Sequence, residues 1–334
     1  FVFAGQGPQF IGMGHELYQQ FSIFRDVIDR CEKALTPYWN ISLTSVLWGE
    51  HSDRLAHTRY TQAALFAVQF ACAELWRNFG ARPSRVLGHS FGEYAAACLA
   101  GVFSLEDALM LLVARGGLPQ EKSAPGLMLS ALTDRGTMDS LLEPHKAKVS
   151  YAAINGPQSL VISGDRDAVL AIDETARLRG IKTRQLDVSH AFHSPQMDCI
   201  LDEFRAVAQK VTYHKPKIPL VSCTEGKLAG QEIACAEYWT QHLRNTVDFA
   251  AGVAALAKGA PDILMEMGPG TTLLGMARPL LDPAPLAYLP SFREGNQERN
   301  DLLEGLLHLH HAGAPVQWHN LYGKQPLPAC DLPR

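Results

Sequence analysis

The sequence predicts an α/β protein in which a parallel-sheet core carries a small inserted α+β subdomain. Strands that end in glycine turns alternate with helices, at "FVFAGQG" and again at "VLGHSFG", and this alternation is typical of a parallel sheet. Residues 125–189 instead follow a β-α-β-β-α-β order, which is that of a ferredoxin-like fold. We therefore expect the core in residues 1–124 and 190–305, interrupted by the subdomain.

The first half of the core is predicted from hydrophobic spacing. "FVFAGQG" is a short apolar run closed by glycine, and the following "FIGMGHELYQQFSIFRDVIDRCEKAL" has apolar residues at helical spacing. "TQAALFAVQFACAELWRNFG" predicts a long helix that ends at a glycine. "PSRVLGHSFGEYAAACLAGV" then repeats the strand-turn-helix pattern around Ser90.

The subdomain is predicted from four strands and two helices. The strands are "LMLSAL", "VSYAAIN", "LVISG" and "KTRQLDV", and the helices are "RGTMDSLLEPH" and "RDAVLAIDETARLRG". The core is expected to resume at "SHAFHSPQMDCILDEFRAVAQKV", and a cleft between the two lobes is expected to hold the functional site. Residues 306–334 are expected to contain the end of a helix and then a proline-rich linker.

Composition excludes several classes of function. A net charge of −4 gives no global basic field, which argues against nucleic acid or an anionic membrane as the main partner. The seven cysteines are scattered and form no CxxC pair, which favours reduced thiols, a cytosolic location and no metal site. The sequence lacks both an apolar run of about 18 residues and a basic N-terminal region, so it predicts no membrane span and no signal peptide.

The strongest chemical motif is G-x-S-x-G at Gly88, Ser90 and Gly92. On a strand-to-helix turn the glycines relieve crowding at a sharp bend, and the serine hydroxyl is exposed above the sheet. Backbone N–H groups at the start of the following helix can bind an oxyanion. The motif therefore predicts that Ser90 is a nucleophile.

An unactivated serine is a poor nucleophile, so a base is sought among the thirteen histidines. The side chain of His89 should diverge from that of Ser90 on a tight turn, and we expect it to make a structural hydrogen bond. "SHAFHS", where the subdomain returns to the core, offers His190 and His193 as candidate bases, and the pattern does not choose between them. A C-terminal group is expected to be solvated: His308, His310, His311 and His319.

Six segments occur in the order seen in malonyl-CoA:acyl carrier protein transacylases. They are "FVFAGQGPQF", "TQAALFA", "GHSFGEYAAACLAG", "VARGGLPQ", "SHAFHSP" and "MEMGPGTTL". The chain most resembles the acyltransferase domain of a modular polyketide synthase, and the resemblance covers essentially all of it. It implies a hydrolase-like α/β core with a ferredoxin-like insert and an active site between them.

The resemblance also implies roles for the catalytic residues. Ser90 corresponds to the family's nucleophile, and His193, the last histidine of "HAFH", corresponds to its general base. His190 is then a pocket-lining residue. In the family the base is oriented by a backbone carbonyl rather than by an acid, and the matching position is near His242 in "TQHLRNTV".

Other residues correspond to the oxyanion hole and the substrate pocket. The backbone N–H groups of Gln6 and Phe91 resemble the oxyanion hole, and Gln62 matches a glutamine of the acyl pocket. Arg115 resembles the arginine that binds the free carboxylate of malonate, for which a planar guanidinium offers two parallel donors. "HAFH" resembles the malonyl-selecting form, whereas the methylmalonyl-selecting form is "YASH", so the Phe192 ring is expected to fill the space of an α-methyl group.

The sequence departs from the family pattern at two positions. Pro119 stands where a methionine is usual, and it is expected to end the helix early and reshape the pocket wall beside Arg115. Ala63 replaces the usual proline after "TQ". Glu93 is expected to be only a favourable charge in the first turn of its helix.

The resemblance implies ping-pong transfer of a malonyl group from malonyl-CoA, through Ser90, to the phosphopantetheine thiol of an acyl carrier protein. No metal or redox cofactor is expected, and neighbouring synthase domains such as a ketosynthase are expected partners. One alternative is a serine hydrolase that removes acyl groups from carriers or lipids, and another is a catalytically silent docking domain. Arg115 and "SHAFHS" weigh against the first, and the intact set of Ser90, His193 and Arg115 weighs against the second.

Overall fold

The computed structural model describes residues 1–188 and 190–321. Within them, the core domain is built on a six-stranded sheet with the order β11-β10-β1-β2-β7-β8. Its strands are β1 (Val2–Phe3), β2 (Val86–Gly88), β7 (Leu220–Ser222), β8 (Lys227–Leu228), β10 (Ile263–Pro269) and β11 (Ala287–Phe292). Neighbouring strands run parallel except for β7 and β8. The predicted parallel-sheet core is therefore confirmed.

Helices cover this sheet. The helices of the core domain are α1 (His15–Gln20), α2 (Ser22–Leu35), α3 (Leu43–Trp48), α4 (Thr58–Asn78), α5 (Gly92–Ala100), α6 (Leu105–Lys122), α9 (Leu201–Ala208), α10 (Ala236–His242), α11 (Phe249–Ala257), α12 (Thr272–Ala277) and α13 (Glu298–His311). Every residue of α5 is buried, and so are 16 of the 21 residues of α4. The small side chains of "AAACLA" let α5 pack closely against β1, β2 and α4.

Pro119 does not end α6. The helix continues to Lys122, and the Pro119 carbonyl accepts a hydrogen bond from the Ser123 N–H at 2.9 Å. Proline removes only its own N–H donor, and in the last turns of a helix the loss of one bond leaves the following residues helical. The expectation that the helix ends early beside Arg115 was wrong.

The small subdomain is a second sheet with its own core. Its strands are β3 (Gly126–Leu132), β4 (Val149–Gly156), β5 (Ser159–Asp165) and β6 (Lys182–Gln185), and its helices are α7 (Arg135–Leu142) and α8 (Arg166–Leu178). The strands lie in the order β6-β3-β5-β4, and each neighbouring pair is antiparallel. This arrangement is the one expected of a ferredoxin-like β-α-β-β-α-β unit. Leu129, Ile162 and Val169 are at the centre of its separate hydrophobic core.

A short strand from the core domain extends the subdomain sheet. β9 (Val247–Asp248) pairs parallel with β4, and Ala153 lies opposite Val247. Since β9 follows α10 in the chain, the core domain supplies an edge strand to the sheet of the small subdomain. The sequence did not predict this strand, because two residues are too few to show a periodic pattern.

The chain after α13 stays in contact with the core as far as Leu321. The Gln317 N–H donates to the Phe79 carbonyl at 2.9 Å, and Asn320 Nδ2 donates to the Asn78 carbonyl at 2.7 Å. The first part of the expected linker is thus attached to the end of α4, and residues 322–334 lie outside the described residues. In the part of the chain described, no helix is long and apolar enough to cross a membrane.

Candidate active site

The turn between β2 and α5 has room only for glycine at positions 88 and 92, two residues before and two residues after Ser90. A Cβ atom on Gly88 would lie 2.1 Å from the Glu93 nitrogen, and one on Gly92 would lie 2.2 Å from the Phe3 carbonyl oxygen. Ser90 itself has a φ of 51°, in the left-handed region. A residue other than glycine keeps this conformation only where the surroundings enforce it. The elbow predicted from G-x-S-x-G is therefore formed, and Ser90 faces a cavity.

Ser90 and His193 are in direct contact. The Ser90 hydroxyl is 2.7 Å from His193 Nε2, and His193 Nδ1 is 2.7 Å from the backbone oxygen of Asn245. Because a carbonyl oxygen can only accept, Nδ1 must carry the proton, which leaves Nε2 free to accept from the serine. His193 is 2% exposed and has a φ of 59°. In this arrangement a histidine base can activate a serine hydroxyl.

The carbonyl that orients His193 belongs to Asn245 and not to His242. α10 ends at His242, and the chain then turns so that two carbonyls face the base. The Leu243 carbonyl accepts from the His193 backbone N–H at 3.1 Å, and the Asn245 carbonyl accepts from Nδ1. The orienting carbonyl, expected near His242, is thus three residues further along the chain, at Asn245.

Arg115 is a buried cation beside Ser90. Its side chain is 1% exposed, and Nη2 donates to the Ser90 hydroxyl at 3.2 Å. The guanidinium carbon lies 4.6 Å from the centre of the Phe192 ring. Among the described residues no carboxylate forms an ion pair with Arg115, and its Nε has no hydrogen-bond partner. A buried guanidinium without a counter-ion is an arrangement that an anionic ligand would complete.

The surroundings of His193 favour its neutral form. Burial, followed by the electrostatic effects of Arg115 and His242, holds the pKa of His193 well below its usual range. The hydrogen bond to the Asn245 carbonyl acts in the opposite direction, but it is the smaller effect. At neutral pH the imidazole is therefore unprotonated and able to act as a general base.

The cavity that holds these groups lies between the two lobes and has a volume of about 410 Å³. Gln6 and Phe91 both line it, and in the described structure their backbone N–H groups have no hydrogen-bond acceptor. Gln62 also lines it, and Gln62 Oε1 is buried without a partner. His190 is buried and is not among the residues that line this cavity, so its predicted role in the pocket stays a prediction.

A family model described as an acyl transferase domain matches residues 1–316. The chain belongs to this acyl transferase family. Polyketide synthase GfsA of Streptomyces halstedii is 40% identical over 341 residues, which cover 100% of this chain and 5% of GfsA. The chain thus spans about a twentieth of that relative.

Solved structures show the same fold for this acyltransferase domain. The acyltransferase domain from the second module of the salinomycin polyketide synthase has a TM-score of 0.90 and 38% identity, over 97% of this chain and 76% of that one. The acyl transferase domain of SpnD, in complex with 2-(pent-4-yn-1-yl)malonyl, has a TM-score of 0.86 and 32% identity, over 94% and 76%. These similarities support the predicted fold class, a hydrolase-like core with a small subdomain.

In the part of the chain that the structure describes, neither His89 nor the C-terminal histidines form a side-chain hydrogen bond with Ser90 or His193. His89 Nε2 donates to Asn155 Oδ1 at 2.8 Å, which joins the elbow to the small subdomain. This contact is the structural hydrogen bond expected for His89. The C-terminal group is exposed: His308, His310, His311 and His319.

Sequence reasoning missed two contacts that support the Ser90–His193 pair, which is called the dyad below. Ser150, on β4, donates its hydroxyl to the His193 backbone carbonyl at 2.8 Å. Glu93 is fully buried and accepts a hydrogen bond from the Cys223 N–H at 2.7 Å, so it is more than a charge in the first turn of α5. Both contacts join segments far apart in the chain, and no local pattern indicates them.

Proposed function

We propose that this acyltransferase domain takes a malonyl group from malonyl-CoA onto Ser90 and passes it to the phosphopantetheine thiol of an acyl carrier protein. The observation that carries the proposal is Arg115, a buried guanidinium without a carboxylate partner, 3.2 Å from the Ser90 hydroxyl. An acyl group that ends in a free carboxylate would supply the missing anion and place its thioester carbonyl at the serine.

In the first half-reaction His193 Nε2 takes the hydroxyl proton as Ser90 Oγ attacks the thioester carbonyl. The C–O bond forms, and the negative charge on the carbonyl oxygen is stabilised by the backbone N–H groups of Gln6 and Phe91. The C–S bond then breaks, and the proton on His193 leaves with the CoA thiolate as a thiol.

In the second half-reaction the thiol of the carrier gives its proton to His193 and attacks the seryl ester. The C–O bond to Ser90 breaks, and the serine recovers its proton from His193. All proton transfers use groups of the protein, and the proposal includes no metal or redox cofactor. Since the chain spans a small part of GfsA, we also propose that its carrier and a ketosynthase belong to one synthase.

Two further observations support the proposed substrate. The Phe192 ring packs under the Arg115 guanidinium and restricts the space beside it. SpnD, a structural neighbour, was solved with a substituted malonyl group. A malonyl-type acyl group is thus compatible both with the charge of this cavity and with a related domain.

The test is intact-mass spectrometry with malonyl-CoA, first alone and then with a carrier protein bearing phosphopantetheine. Wild type is expected to gain one malonyl group and to transfer it, whereas Ser90→Ala is expected to gain none. The variant should keep its melting temperature, because it loses one hydroxyl and little packing. Release of free malonate in preference to transfer would favour the hydrolase alternative, and an adduct on Ser90→Ala would reveal another nucleophile.

A further inference from the structure

A buried cluster of polar groups lies behind the dyad and takes no part in the proposed chemistry. At its centre is Glu93, in the first turn of α5, which is fully buried. One carboxylate oxygen accepts from the Cys223 N–H at 2.7 Å, and the other accepts from the Tyr238 hydroxyl. His242 Nε2 lies 3.7 Å from the first oxygen. No lysine or arginine among the described residues pairs with Glu93.

These contacts join the helix that follows Ser90 to the helix and turn that hold His193. Glu93 comes directly after the Ser90 elbow, whereas Tyr238 and His242 lie on α10. The turn that follows α10 supplies the Leu243 and Asn245 carbonyls that hold His193. The Glu93 carboxylate thus connects the segment that carries Ser90 to the segment that positions His193.

We propose that Glu93 is a positioning residue that fixes α10, and through it the Leu243–Asn245 turn, so that His193 meets Ser90 in reacting geometry. A carboxylate suits this role because it accepts several hydrogen bonds at once and cannot donate in their place. Burial makes each of these bonds costly to lose. The inference rests on the proposed serine mechanism, but not on the identity of the acyl group.

Displacement of the turn has a consequence that simple destabilisation lacks. The Asn245 carbonyl raises the pKa of His193, while burial, Arg115, His242 and His89 lower it. If the turn moves away from Nδ1, the pKa of His193 falls further and the imidazole becomes a weaker base. In a plot of the Ser90 reaction rate against pH, the rise at acid pH (the acid limb) then moves to lower pH, and the maximum rate (the plateau) falls. A smaller folded fraction would lower the plateau and would not move the limb to lower pH, because the folded state loses stability as pH drops.

The experiment uses a fluorophosphonate probe, which labels activated serines whatever their natural acyl donor. Labelling rates of the full chain are measured against pH for wild type, Glu93→Ala, Glu93→Gln and Tyr238→Phe. The matched control is Glu298→Gln, which changes a buried glutamate whose partners are the Gly14 and Leu17 N–H groups. Folded fraction is measured for each variant by circular dichroism, and malonyl transfer is measured in parallel.

We expect Glu93→Ala to reduce the plateau labelling rate about 10- to 100-fold, the range for a misplaced catalytic group, and to move the acid limb to lower pH. Glu93→Gln should restore part of the rate, and Tyr238→Phe should shift the limb in the same direction by less. Glu298→Gln should leave the limb in place. Rates of the Glu93 and Tyr238 variants that follow the folded fraction alone, with unmoved limbs, would overturn the proposal.

Failure of the proposed function is distinguishable from failure of this inference. Wild type that reacts with the probe at Ser90 but accepts no malonyl group would refute the proposed acyl donor and leave the role of Glu93 open to the same test. Wild type that does not react at Ser90 would refute both.

Discussion

At the scale of single residues, the site is held in a backbone conformation that neither side chain favours. Ser90 and His193 both have positive φ angles, 51° and 59°. Each such angle costs on the order of 1 to 3 kcal/mol for a residue other than glycine. The close packing of the turn around Ser90 offsets this cost. Two hydrogen bonds of His193 also offset it, from its backbone N–H to the Leu243 carbonyl and from Nδ1 to the Asn245 carbonyl. Geometry at the site therefore depends on contacts made by other segments.

Arg115→Ala is expected to reduce malonyl loading much more than acetyl loading, because only malonate carries a second carboxylate. A charged hydrogen bond contributes on the order of 1.5 to 3 kcal/mol, or roughly 10- to 150-fold in rate. The Arg115 charge also lowers the pKa of His193, so its removal should move the acid limb of loading to higher pH for both acyl groups. Loading rates for malonyl-CoA and acetyl-CoA across pH, measured by intact mass, check both effects.

Arg115→Lys is the matched control for the charge. Lysine keeps the positive charge but lacks two parallel donors, so malonyl loading should be intermediate and the acid limb should stay near that of wild type. Equal losses for malonyl and acetyl groups in Arg115→Ala would show that Arg115 holds the fold or CoA instead.

Phe192→Ser is expected to raise methylmalonyl loading relative to malonyl loading, because the ring restricts the space beside Arg115. One methyl group in a pocket is worth about 1 to 3 kcal/mol, or roughly 10- to 200-fold in selectivity. Adding His190→Tyr should change the ratio little, because His190 does not line the cavity. Phe192→Leu, which keeps bulk without an aromatic face, separates the steric effect from the contact with the guanidinium. An unchanged ratio in folded Phe192→Ser would place selection elsewhere.

At the scale of elements, the sequence predicts what depends on local pattern. The strand, elbow and helix around Ser90 follow from glycine spacing and hydrophobic runs, and so does the β-α-β-β-α-β order of the subdomain. Strand β9, the Asn245 carbonyl and the Glu93 contacts were not predictable from pattern, because each depends on segments distant in the chain. At Pro119 the local rule predicted a helix end that does not occur, because α6 continues to Lys122 with the loss of only one backbone hydrogen bond in its last turns.

Gly88→Ala is expected to disrupt the elbow, because the new Cβ would lie 2.1 Å from the backbone nitrogen of Glu93. Backbone atoms cannot rotate away as a side chain can, so β2 and α5 would have to separate. We expect loss of probe labelling at Ser90 and a lower melting temperature. Gly117→Ala is the matched control, since its Cβ would meet nothing within 4 Å, and alanine is favoured in a helix. A fully active Gly88→Ala variant would contradict this account of the elbow.

At the scale of the whole molecule, the cavity exists because the two lobes are joined at several points. His89 bonds to Asn155 across the cleft, and Ser150 on β4 holds the backbone of His193. β9 adds an edge strand from the core domain to the subdomain sheet. The small subdomain therefore helps to hold His193 in place and also forms one wall of the cavity.

Buried ionisable groups make the stability of the whole chain depend on pH in two opposing ways. Burial lowers the pKa values of His89, His190 and His193, so the folded state resists their protonation and stability falls as pH drops below about 6.5. Burial raises the pKa of Glu298 to about 7, so the folded state favours its neutral form. That contribution is fully present at low pH and is lost as pH rises from about 4.5 to 7.

Glu298→Gln is accordingly expected to change the pH dependence of unfolding rather than its level alone. With this glutamate removed, the histidine contribution is less opposed, and the free energy of unfolding should rise more steeply between pH 5 and 7 than in wild type. Between pH 5 and 7 the change in the free energy of unfolding should differ between the two proteins by roughly 2 kcal/mol, since one pKa unit corresponds to about 1.4 kcal/mol. Urea unfolding at several pH values measures it. Parallel curves for the two proteins would show that Glu298 is ionised in the folded state, held so by the Gly14 and Leu17 N–H groups that it accepts from.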